Sequence, residues 1–187
     1  CPQRERAGFT GDAQAFAETA AFNQDVQAFF ERWLRSLRIE QRPDGQVPNL
    51  VPYWKSYEET FYPMQGSHSA AGWGDAVILV PWRLYRMSGD RSLLEDNYPA
   101  MRAWLAYAER QAASTCREPA AGEDCPAWRE RQRYLWNGGF QFGDWLVPSK
   151  GMAGADPFAI AAMTGEIAAT CCLAYSAGRM IEIAALL

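Results

Sequence analysis

Between residues 26 and 37 the apolar side chains Val26, Phe29, Phe30, Trp33, Leu34 and Leu37 recur at spacings of three and four residues. That spacing returns them to one side of a 3.6-residue helix and to no common face of a strand. The stretch is an amphipathic helix, and the same period governs most of the chain. Residues 12 to 23 carry Phe16, Thr19, Ala20 and Asn23 on one side, giving a helix before it. "GWGDAVILVPWRLYRMSGD" reads as a further apolar helix stopped by Gly89, with Pro81 expected to kink or restart it. "RSLLEDNYPAMRAWLAYAERQAA" gives another, with Leu94, Tyr98, Met101, Leu105 and Ala108 on one face, and Thr164 to Leu187 a long final one. "RPDGQVPNLVPYW", with three prolines and a glycine, is a loop, and residues 114 to 148 are loop-rich. No alternating run of useful length appears, so the fold class is all-α.

The length of 187 residues is one domain's worth, or part of one larger domain. Apolar residues at 49% supply a sizeable core, and eight Trp with eight Tyr leave aromatics over for a site where flat, partly polar ligands stack. A net charge of −4 without a basic run argues against a nucleic-acid partner. The most apolar window is broken by Glu166, Arg179 and Glu182, as a helix packed among others would be, so no membrane partner is expected. The start without Met and the uncapped end at Leu186-Leu187 suggest a fragment, and oligomeric state is left open. Cys171 and Cys172, adjacent within a helical pattern, are expected to be buried small hydrophobes. Cys116 and Cys125 flank a loop-like insertion; a disulfide between them would place the protein in an oxidising compartment, periplasmic or secreted.

The polar chemistry gathers at helix starts. "GFTGD" precedes the first helix, "GWGD" opens the third, and "FGDWL" stands in the loop before the last. Asp12, Asp75 and Asp144 are each glycine-flanked and near an aromatic: Phe9, Trp73 and Trp145. In a ring of helix hairpins, alternate helix starts emerge at one end, which would bring these units to one mouth. An aromatic face beside a carboxylate suits a sugar, whose C–H groups lie on the ring while its hydroxyls donate to the oxygens. Helix capping is the plainer account of Asp12 and Asp75. Trp33, Trp82 and Trp104, at helical spacing, belong to the core. Glu5 stands between Arg4 and Arg6; the two cations favour its charged form, and burial against Phe9 the neutral form that a proton donor needs. His68 is the only histidine and is read as a structural loop residue; the chain offers no histidine zinc site, phosphate loop or nucleophile elbow. No metal or cofactor is expected.

Taken together, "CPQRERAGFTGDAQAFAETAAFN", "DGQVPNLVP", "GWGDAVILVPWRLYRMSGD" and "FGDWL" resemble the catalytic domain of bacterial α-L-rhamnosidases, the glycoside hydrolase family 78 type. The resemblance covers nearly the whole chain in the right order. It implies a six-hairpin (α/α)6 toroid with flanking β-sandwich domains, of which residues 1–187 would be the N-terminal part. It implies inverting hydrolysis of terminal α-L-rhamnose from glycosides or polysaccharides, with an acid and a base carboxyl roughly 6.5–9.5 Å apart. Carried onto this sequence, Glu5 is the general acid, and Arg4 and Asp12 hold sugar hydroxyls. Phe9 stands where the family usually has Trp, keeping an apolar wall without the indole donor. Trp73, Asp75, Asp144 and Trp145 match aromatic and acidic site positions. The partner glutamate would lie beyond Leu187, and the family's leading Asp before Cys1. The alternatives are another (α/α)6 glycosidase, glucoamylase-like or a glucuronyl hydrolase, or a carbohydrate-binding helical domain without activity.

Overall fold

The computed structural model describes residues 6–54, 56, 69–115, 118, 122, 125–144 and 156–187. Among them lie seven helices: α1 (Thr10–Asn23), α2 (Gln27–Glu40), α3 (Ala76–Ser88), α4 (Ser92–Glu95), α5 (Tyr98–Ser114), α6 (Pro126–Gln132) and α7 (Pro157–Leu186). The only extended pairing among the described residues is an isolated antiparallel bridge between Phe9 and Leu50.

The first two turns of α3, residues 76 to 82, are apolar on every side, which requires a helix surrounded by others. It is so placed. Residues 76 to 82 and Leu84 are all buried, and α3 touches α1, α2, α4, α5 and α7. At about 1.5–3 kcal/mol for each large aliphatic side chain fully removed from water, this helix anchors the core. Pro81 lies inside the helix and does not restart it, and Gly89, at φ 75°, ends it in the left-handed conformation. Trp82 and Trp104 are buried as expected; Trp33 is half-buried, its Nε1–H donating to the Val51 carbonyl at 3.1 Å.

Three helices run parallel. Gly11 meets Trp73, Gln14 donates to the Gly72 carbonyl, and Glu18 faces Arg83, so α1 and α3 advance together. On the other flank Ser176 bonds Asp75 and Arg179 lies over Trp82, so α7 advances with them. Ser176 being level with Asp75, α7 begins nineteen residues earlier, about 28 Å beyond the start of α3. Its projecting half forms a wall above the end where α1 and α3 begin.

Five expectations need correction. The last helix starts at Pro157, seven residues before Thr164, and the loop-rich region contains α6, begun by Pro126 at its first turn. The expected single helix from Arg91 is two: Asn97 closes α4 by donating to the Leu93 carbonyl, and Pro99 opens α5. Cys171 is exposed and Cys172 only half-buried, because the buried stripe of α7 runs through Ala169, Leu173, Ser176, Met180 and Ile183. Cys125 is a free, exposed thiol and makes no disulfide; Cys116, like Cys1 and His68, lies outside the described residues. Among the described residues α7 is by length and composition the one helix that would suffice to cross a bilayer, yet that buried stripe packs on α3 and α5.

Candidate functional site at the helix starts

The segment before α1, the turn before α3 and the loop piece 141–144 meet at one end of the bundle. Hydrogen bonds from side chains and neighbouring backbone fasten these irregular segments, as backbone away from water requires. Thr10, fully buried, donates from its hydroxyl to the carbonyls of Pro48 and Asn49, while its N–H also reaches Asn49. The side-chain oxygen of Asn49 accepts from Ala70 N–H at 2.9 Å, and that of Gln141 from Ala71 N–H at 2.8 Å. Gln14 in α1 donates to the Gly72 carbonyl at 3.1 Å. The turn at residues 70–73 is thereby fastened to three other parts of the chain, and Trp73 stands on it.

Trp73 is half-buried. A Cβ on Gly11 would lie 2.8 Å from its ring, so only a glycine admits the indole there, and Phe142 lies across it with centroids 4.0 Å apart. Its Nε1–H is shut off from solvent and has no acceptor among the described residues. An orphaned buried donor costs about 1–3 kcal/mol and is expected where a ligand brings the acceptor.

Asp12 and Asp144 face outward, and neither carboxylate has a hydrogen bond or ion pair among the described residues. Asp12 does not cap α1: Phe9 holds the cap position, no side chain caps it, and Asp12 sits in the first turn, where the helix dipole favours its charge. Asp144 is held by its backbone, whose N–H donates to Thr164 Oγ1 at 2.8 Å; Gly143, at φ 58°, lies so close to Thr164 and Gly165 that a Cβ there would clash.

Two expected site residues are placed elsewhere. Phe9 is buried in its bridge with Leu50, because the alternation that exposes Gly8 turns its ring inward. Asp75 is 2% exposed. One oxygen accepts from Trp104 Nε1–H at 2.9 Å and Ser176 Oγ–H at 2.5 Å, the other from Gly72 N–H at 2.7 Å. It stands at the cap position of α3, but its side chain makes no capping hydrogen bond and is buried away from the mouth. Cys172 lies beside it, and burial, reinforced by the Asp75 charge and Cys171, pushes the Cys172 thiol up to about 12. Arg4, Glu5 and Trp145 lie outside the described residues. Gln14, Asn49, Gln141 and Ser176 were missed by sequence reading; only their burial, which no local pattern signals, marks them. A groove of about 340 Å³ between the end of α6 and α7, lined by Gln132, Asn137, Glu166 and Ile167 among others, contains none of the expected site residues.

No group of metal-ligating side chains occurs among the described residues. Residues 1–187 match the family described as the bacterial α-L-rhamnosidase six-hairpin glycosidase domain. An α-L-rhamnosidase of Alteromonas sp. (strain LOR) is 39% identical over 149 residues, 79% of this chain and 13% of its own length. Among solved structures, the Streptomyces avermitilis α-L-rhamnosidase complexed with L-rhamnose matches 97% of this chain and 14% of its own, at 31% identity and a TM-score of 0.67. The α-L-rhamnosidase from Dictyoglumus thermophilum matches all of this chain and 17% of its own, at 26% identity and a TM-score of 0.69. The chain thus spans less than a fifth of the length of these relatives.

Proposed function

Because the chain belongs to the bacterial α-L-rhamnosidase six-hairpin glycosidase family, we propose that the complete protein hydrolyses terminal α-L-rhamnosides, residues 1–187 supplying the N-terminal part of its (α/α)6 domain. The match over the whole chain carries this reading, since it includes the "RER" and "TGD" segments together. Glu5 acts as general acid, protonating the departing glycosidic oxygen, and Arg4 and Asp12 bind sugar hydroxyls. Trp73, with its unanswered Nε1–H, and Asp144 and Trp145 border the rhamnose; the base that activates water for inversion comes from a later hairpin. The outward carboxylates of Asp12 and Asp144, without a partner among the described residues, support the reading, since they keep acceptor lone pairs for sugar hydroxyls.

The test is Glu5→Gln in the complete protein. Turnover of alkyl rhamnosides should fall by about 10³-fold or more, while aryl rhamnosides with acidic phenol leaving groups, which need little proton assistance, should lose far less. Equal losses on both would remove Glu5 from the acid's role. The anomer first released, followed by NMR, should be inverted; a retained anomer would exclude the water-activating mechanism.

A further inference from the structure

We infer that Asp75 is a positioning residue for this site, holding Trp73 from beneath without touching the sugar; the inference rests on the reading of Trp73 as a wall of the rhamnose site. Its carboxylate joins three elements: the Gly72 turn that carries Trp73, α5 through Trp104, and α7 through Ser176. All three partners are donors. An ionised carboxylate accepts at both oxygens and matches them, whereas an amide must turn an NH2 toward one donor set or the other. Gly74 seats Trp104 so closely that a Cβ would stand 2.2 Å from its ring, so the indole donor has no room to move away. Gly72, at φ 83°, leads straight into Trp73, and the neighbouring Ala71 N–H and Gly72 carbonyl are held by Gln141 and Gln14. Asp75 ties this turn at once to Trp104 of α5 and, through Ser176, to the wall formed by α7.

A double-mutant cycle in the complete protein tests this, reading KM and kcat on an aryl α-L-rhamnoside and inhibition by L-rhamnose. Asp75→Asn should raise KM and the inhibition constant about tenfold with kcat within about threefold, the scale of one lost charge-assisted hydrogen bond. Ser176→Ala, remote from the mouth, should move both constants the same way by a smaller factor. On a Trp73→Ala background Asp75→Asn should add less than about twofold, because both act through one indole. A full tenfold loss on that background, or a silent Ser176→Ala, would overturn the inference. If Asp75→Asn does not fold, the same cycle with Ser176→Ala decides. Should the wild-type protein hydrolyse no rhamnoside, the functional reading falls by itself. Trp73 emission, wild type minus Trp73→Phe, then decides: a shift to longer wavelength in Asp75→Asn supports the clamp, and an unchanged spectrum refutes it.

Discussion

A methyl group at Gly74 would stand 2.2 Å from Cη2 of Trp104, whereas one at Gly89 would meet nothing within 4 Å. The two glycines are needed for different reasons, one for close approach and one for φ 75°. Gly74→Ala should therefore lower stability by about 3 kcal/mol or more, since the indole is fixed by Asp75, and Gly89→Ala by only about 1 kcal/mol. Thermal unfolding of the two variants checks the order. The raised Cys172 thiol makes a second contrast: it should stay unmodified by iodoacetamide at pH 8 in the folded protein and react on unfolding, because almost none is thiolate. Asp12 and Asp75 show how far residues can be read from sequence. Both are glycine-preceded aspartates near an aromatic at a helix start, and nothing local separates them. One faces solvent and the other is saturated by donors from positions 29 and 101 residues away.

At the scale of elements, helical periodicity marks the long helices but is a poor guide to their boundaries and to the short α4 and α6. The buried stripe of α2 (Phe30, Leu34, Leu37) lies within the predicted face, but its flank, Phe29, is 65% exposed. The start of α7 was hidden because residues 157 to 163 hold no charge, so no amphipathic contrast announces a helix there. Glu40 closes α2 and illustrates a cost built into an element. Burial raises its pKa, against the lowering effect of accepting Tyr53 N–H at 2.6 Å, and its charge opposes the helix dipole at this end. A carboxyl whose folded pKa is raised binds its proton more tightly in the native state, so stability falls as pH rises from the unfolded value through the folded one. Glu40→Gln keeps an acceptor for Tyr53 and removes that loss. Its Tm should equal or slightly exceed wild type at pH 7, and the difference should vanish toward pH 4.

For the whole molecule, the informative surface is the apolar one. On α1, Phe16 and Phe22 are 61% and 80% exposed; on α7, Met163, Ile167 and Ile181 are each above 70%. The α7 residues form a stripe opposite the one buried against α3 and α5, so this helix is built to be covered on both sides. Relatives several times longer than this chain, and their six-hairpin domain, suggest the cover: further helices of the same ring closing on α7 at one flank and on α1 at the other. The resemblance in the sequence already implied a ring, but the periodicity of α7 could not show which stripe meets which neighbour, because both stripes are apolar. The two flanks give a direct test. In the complete protein Ile167→Lys and Phe22→Lys would each bury an unpaired ammonium at a helix seam, lowering stability by about 3 kcal/mol or more. Thermal or denaturant unfolding reads this. Changes within about 0.5 kcal/mol, as at ordinary surface positions, would show that both flanks face water and that the ring closes elsewhere.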